Sequence, residues 1–157
     1  MSPPSIRRAD STADLDAVRR LFREYIDSLD FALDFQDVED ELEALPGPYA
    51  APEGAILLAT VDDVAVGVVA VQPLDEEGVC EMKRLYVSPE HRGCGIGRAL
   101  GEAILDTARA LGYHTMRLDT VASMEPARAL YRALGFHERS AYYHNPLDDV
   151  VYMERSL

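Results

Sequence analysis

An α/β fold in which strands and helices alternate is what the patterning of this chain predicts, on three observations. Apolar runs of strand length alternate along it with amphipathic stretches at helical spacing. Two of the runs meet at a tight Asp62-Asp63 turn, as the strands of a hairpin do. One strand also runs into a glycine-rich loop that opens directly onto a helix, an arrangement in which backbone amides meet an anion.

Taken in order, Ser5 to Ala9 reads as a short strand. Asp10 or Ser11 then caps a helix whose apolar residues Leu15, Val18, Leu21, Phe22, Tyr25 and Ile26 recur at spacings of three and four. Phe35 to Leu45 is a second, shorter helix, stopped by Pro46-Gly47-Pro48. Ala55 to Val61 and Val64 to Leu74 form the hairpin, and Val79 to Val87 is the next strand, ending at Ser88-Pro89. Gly97 to Leu111 is a helix with Gly112 at its C-terminal cap, Tyr113 to Thr120 a strand, and Pro126 to Leu134 a helix closed by Gly135. Phe136 to Arg139 and Val150 to Glu154 complete the sheet. No repeat, low-complexity tract or linker breaks this order, so one domain over residues 1–157 is expected.

Composition narrows the class. A chain of 157 residues, 48% hydrophobic, can bury one sizeable core. No apolar stretch approaches the roughly 18 residues of a membrane span. Met1-Ser2-Pro3-Pro4 lacks the apolar segment of a secretory leader, so a cytoplasmic protein without a membrane partner is expected. Cys80 and Cys94 are too few for a disulfide framework and are not spaced for zinc, and His91, His114, His137 and His144 are scattered, so no metal site is expected. The net charge of −13 is uneven: residues 1–78 hold 18 acids and 5 bases, 79–100 hold 2 and 4, and 101–157 hold 8 and 6. Lys83, Arg84, Arg92 and Arg98 make the glycine-loop segment the one basic island, suited to a polyanionic ligand but too narrow for nucleic acid.

The loop itself, Arg92 to Ala99, reads R-G-C-G-I-G-R-A. It is not a P-loop, because Gly97 is followed by Arg98-Ala99 rather than by lysine and a hydroxyl residue. Neither does it satisfy the dinucleotide fingerprint, whose third glycine would fall on Arg98 or on Leu100. What remains is Arg/Gln-x-x-Gly-x-Gly/Ala, filled by Arg92, Gly95 and Gly97, which resembles the coenzyme A motif of the GNAT superfamily of N-acetyltransferases. Upstream, Cys80 to Val87 resembles the superfamily's fourth strand; downstream, Ala127 to Phe136 resembles its A-x-x-L-Y-x-x-L-G-F segment. The three segments stand in family order, and the first third of the chain carries no comparable signature.

This resemblance implies a mixed, mostly antiparallel sheet splayed between its fourth and fifth strands, with acetyl-CoA in the gap. It implies that backbone groups of Leu85, Tyr86 and Val87 pair with the pantetheine arm, and that Arg92, Gly93, Cys94, Gly95, Ile96, Gly97, Arg98 and Ala99 hold the pyrophosphate. The Arg92 guanidinium matches phosphate oxygens, although it would equally cap the strand end. Glu81 falls where several members carry a general base, and Tyr131 where the general acid stands; a glutamate paired with Lys83 or Arg84 and a tyrosine packed in the core are the structural alternatives. Relatives often place Asn where this chain has Met124, so that contact with the pantetheine arm is absent or passes to Thr120 or Ser123. Cys94 lies in the loop, whose task needs its backbone, and direct transfer requires no acyl-enzyme.

The acceptor is the least defined part. Asp27 to Glu43 contains eight acids and no base, a solvated face or an attraction for a cationic amine. Lys83 and Arg84 point instead to an acceptor bearing a carboxylate, with Tyr143 and its neighbours Tyr142 and His144 lining the same cleft. A small-molecule primary amine, amino-acid-like, satisfies both signs. A protein N-terminus or lysine is the second enzymatic reading, and a non-catalytic acetyl-CoA sensor the third. A homodimer is compatible with the sequence without being required by it.

Overall fold

The computed structural model describes residues 3–29, 35–144 and 149–157. Along it run β1 (Ser5–Arg8), α1 (Thr12–Ser28), α2 (Phe35–Ala44), β2 (Ala55–Val61), β3 (Val64–Pro73), β4 (Val79–Val87), α3 (Ile96–Ala110), β5 (Thr115–Val121), α4 (Glu125–Ala133), β6 (His137–Arg139) and β7 (Val150–Ser156). Asp30 and Asp34 of the acidic stretch lie outside the described residues.

The seven strands form one open sheet in the order β1-β2-β3-β4-β5-β7-β6. Every neighbouring pair is antiparallel except β4 and β5, which run parallel. The β2–β3 turn holds Asp62 and Asp63 at φ +50° and +67°, the two left-handed positions that a two-residue hairpin with the sheet's own twist requires. β2 and β3 are buried on both faces, which is why they read as continuous apolar runs. Leu57, Ala59, Val69 and Val71 meet Leu100, Ile104 and Leu105 of α3 on one face. Ile56, Leu58, Val68 and Ala70 meet Val18, Leu21 and Phe22 of α1 and Val38 and Leu42 of α2 on the other. Each fully buried aliphatic or aromatic side chain of this kind contributes about 1.5–3 kcal/mol.

Two strands begin later than their apolar runs suggest, and the same device accounts for both. At the end of α3, Gly112 adopts φ +97° and the Tyr113 amide donates back to the Ala108 carbonyl at 3.1 Å, so Tyr113 belongs to the helix cap and β5 starts at Thr115. At the end of α4, the Phe136 amide donates to the Tyr131 carbonyl at 2.9 Å, and β6 starts at His137. Short 3₁₀ turns at Gly47–Tyr49 and Pro89–His91 carry no signature in the patterning. No helix among the described residues is long and apolar enough to cross a membrane.

Candidate active site

β4 and β5 pair at three positions only, Val79 with Thr115, Cys80 with Met116 and Glu81 with Arg117, and then part. Beyond Glu81, β4 keeps β3 on one side and has no strand partner on the other. The gap opens into a cleft of about 590 Å³. Its β4 wall is Leu85, Tyr86 and Val87; its opposite wall is Met124, Pro126, Ala127, Leu130 and Tyr131 at the start and along the length of α4, with Ser123 beside them. Backbone N–H and C=O groups on an unpaired strand edge are ready to pair with an extended amide-bearing chain.

Arg92, Gly93, Gly95, Ile96 and Gly97 close one mouth of the cleft. Gly93 and Gly95 sit at φ +82° and +85°, and a Cβ on either would meet nothing within 4 Å, so open space lies beside this backbone. Gly95 is the N-cap of α3, whose first turn has no acid and no side-chain cap, leaving its amides and the positive end of its dipole to a ligand. Arg92 stacks over the Tyr86 ring at 5.4 Å and donates from Nε to the Val87 carbonyl at 2.8 Å, so it does cap the strand end while also lining the cleft. Together these features fit a pyrophosphate with an extended arm running from it along β4.

Three residues of the loop segment fall off the cleft wall. Cys94 is exposed and its thiol leans on the Arg92 carbonyl, Arg98 is ion-paired with Glu102 at 3.0 Å, and Ala99 lies within α3. Thr120 donates to the Met124 sulfur at 3.9 Å, whereas Ser123 is on the wall, so of the two hydroxyl residues expected to replace the missing Asn it is Ser123 that faces the cleft.

Deeper in the gap, a cavity of about 60 Å³ is bounded by Tyr25, Met82, Lys83, Arg84, Leu85, Asp119 and Tyr131. Tyr131 belongs to both cavities. Burial pushes its phenol well above the ordinary range, and no hydrogen bond contributes to that shift. Asp119, on β5, is the site residue the sequence reading missed; a lone carboxylate in a strand is the only signal it leaves. Burial raises its pKa above the ordinary carboxylate value, with Lys83 opposing and Glu81 adding to the rise. The Tyr143 hydroxyl donates to it, although Tyr143 itself is 39% exposed and on neither cavity wall.

Glu81 is 4% exposed and also off both walls. Its carboxylate accepts from Gln72 at 2.7 Å and from the Tyr142 hydroxyl at 2.5 Å, with the Lys83 Nζ 3.9 Å away. Arg117 and Arg139, both bound to Glu154, flank the Tyr142 ring at 5.4 and 5.6 Å. Strand alternation would put Glu81, Lys83 and Leu85 on one face, but β4 bulges: Arg84 and Leu85 both stand opposite Val69, and Arg84 takes φ +59°. The bulge turns Arg84 toward α2, where it forms a two-pronged pair with Glu41 at 2.9 and 3.1 Å. The internal partner of Arg84 is therefore Glu41 and not Glu81. Among the described residues no group of three His, Cys, Asp or Glu side chains could hold a metal ion.

An anion-binding loop at the mouth of a splayed sheet, an unpaired strand edge inside it and a buried phenol beside a half-buried carboxylate at its floor define an acyl-CoA-dependent acyltransferase. Residues 15–136 match the Acetyltransferase (GNAT) family, and the chain belongs to that family. It is 43% identical, over 98% of its own length and 94% of the other's, to an uncharacterized N-acetyltransferase of Schizosaccharomyces pombe. It is 32% identical to the human N-acetylaspartate synthetase over 80% of its own length and 39% of that protein's. A Salmonella typhimurium protein solved with its cofactor acetyl-CoA shares the fold at a TM-score of 0.73 and 23% identity, over 99% of this chain and 94% of that one. The chain is an acetyl-CoA-dependent N-acetyltransferase.

Proposed function

We propose that residues 1–157 act as one domain that transfers acetyl directly to the primary amine of a small, amino-acid-like molecule. The observation that carries this reading is the cavity of about 60 Å³ at the floor of the cleft, which gathers a carboxylate, two phenols and two cations within reach of one small acceptor. The name of the human relative, N-acetylaspartate synthetase, supports an amino-acid acceptor as well.

Acetyl-CoA, when bound, supplies a thioester carbonyl open to attack and a thiolate that departs. Backbone groups of Leu85 to Val87 hold its arm, and Arg92, Gly93, Gly95, Ile96 and Gly97 hold its pyrophosphate. Asp119 takes the proton of the acceptor ammonium, since it faces the same cavity as Tyr131 and its raised pKa suits a base working nearer neutrality. Tyr131 keeps its proton through burial and gives it to the leaving sulfur. Glu81, the base that the family resemblance suggests, lies on neither cavity wall, whereas Asp119 lines the small one; in this reading Glu81, bound by Gln72 and Tyr142, positions Lys83 and Tyr142. Lys83 attracts the acceptor's carboxylate.

The test is a panel of amino acids, their decarboxylated amines and short peptides, followed by thiol release from acetyl-CoA. Faster release with amino acids than with either other set supports the reading. Peptide-dependent release assigns the chain to protein acetylation instead, and binding of acetyl-CoA with no amine-dependent release makes it a sensor.

A further inference from the structure

Arg84 is an unusual cation for a substrate pocket because its Nε–Nη2 edge is already taken by a carboxylate of the protein. The β4 bulge at φ +59° directs it to α2, and Glu41 meets Nε and Nη2 with both oxygens, at 3.1 and 2.9 Å. The pair is largely covered, at 16% and 20% side-chain exposure, yet Arg84 also bounds the small cavity beside Asp119 and Tyr131. An incoming carboxylate can take this Nε–Nη2 edge only by displacing Glu41, which would strand a mostly buried carboxylate without its partner, a strongly unfavourable exchange, and on any other side of the guanidinium it meets a cation whose charge Glu41 already offsets. Lys83 is different. Its nearest ion-pair partner is 3.9 Å away at Glu81, beyond hydrogen-bond distance, so it keeps donors for a ligand. Glu41, Glu81 and Asp119 also outnumber Lys83 and Arg84 here, so a second negative charge on the acceptor meets a site already net negative.

We propose that Glu41 is a specificity-determining residue: by occupying the Arg84 fork it restricts the acceptor to amines with one carboxylate and excludes dicarboxylates. This rests on the amino-acid reading above. It separates the chain's acceptor class from one that bears two carboxylates.

The test compares kcat/KM for two isosteric pairs, asparagine with aspartate and glutamine with glutamate, in the parent, Glu41→Gln and the double variant Glu41→Gln with Arg84→Met. The parent should favour each amide by at least about tenfold, the scale of one charge-assisted hydrogen bond lost. Glu41→Gln should cut that ratio by about tenfold by freeing Arg84, and the double variant should restore it. Because the readout is a ratio, a general loss of stability in α2 leaves it unmoved. A parent that prefers the dicarboxylates, or a Glu41→Gln ratio equal to the parent's, overturns the proposal. If all four amino acids fail while a decarboxylated amine or a peptide is acetylated, the amino-acid reading falls, and this proposal with it.

Discussion

Asp119 on β5 and Tyr131 on α4 face one cavity of about 60 Å³, with Lys83, Arg84 and Leu85 of β4 across it. A carboxylate and a phenol are thus held against one cavity, each on a regular element, and burial raises the pKa of both.

Asp119→Asn should therefore lower kcat/KM by roughly 10²- to 10⁴-fold, the range for removal of a general base. With an acceptor amine of low pKa, the parent's activity should rise with pH as Asp119 ionises, above the ordinary carboxylate value of about 3.9. The variant should lack that limb. Glu81→Gln should keep it if, as proposed, Glu81 acts only by positioning Lys83 and Tyr142; loss of the limb in Glu81→Gln alone would move the base to Glu81.

Tyr131→Phe keeps the ring packed edge-on against Phe136 at 6.2 Å and removes only the hydroxyl. Acetyl-CoA affinity should be nearly unchanged while kcat falls roughly 10²- to 10⁴-fold. Unchanged turnover with a lowered melting temperature would reduce the tyrosine to core packing.

The loop makes a separate claim on affinity. Gly95→Asp forces a side chain onto φ +85° and fills open space beside the α3 amides with a negative charge, so calorimetry should find acetyl-CoA binding abolished. Arg92→Ala should weaken binding by about tenfold or more and flatten its salt dependence. Its lost bond to the Val87 carbonyl would show separately, as a small drop in thermal stability. Binding equal to the parent's in Gly95→Asp would remove the pyrophosphate from this loop.

How much of this was legible in the chain depended on how local each cause was. β4 could be read to the residue because its apolar run ends at Ser88-Pro89, and the cradle because its glycines stand together in sequence. The apolar runs place the starts of β5 and β6 two residues and one too early because the preceding helix caps claim Tyr113 and Phe136, a contest between neighbouring elements that hydrophobicity does not record. The direction of Arg84 was not legible at all. It follows from a bulge at Val69's partners and from Glu41, 43 residues upstream, neither of which alternation along β4 records. Asp119 likewise acquires its raised pKa only when α4 and β4 enclose it.

The last prediction concerns stability in acid, and its source is the first turn of α1. Ser11 caps the helix by accepting from the Asp14 amide at 3.1 Å, while the Asp14 carboxylate, 6% exposed, accepts from Arg7 on β1 at 2.7 Å and from the Asp10 amide at 3.4 Å. The hydrogen bond from Arg7 is the largest influence on it and, with those from the Asp10 backbone and Ser11, outweighs burial, bringing its pKa down to about 2. A carboxylate whose pKa is lower folded than unfolded stabilises the fold fully above its unfolded value of about 3.9, and that contribution fades as pH falls toward 2. Asp14→Asn should accordingly destabilise the protein by about 1 kcal/mol at pH 7, the usual scale for a helix-terminal interaction of this kind with one exposed partner. The difference from the parent should shrink steadily below pH 4, because there the parent's own Asp14 is being protonated. Urea unfolding at a series of pH values measures both curves. A gap that persists undiminished at pH 2 would mean that the carboxyl's hydrogen bonds, and not its charge against Arg7, are what tie α1 to the edge of the sheet.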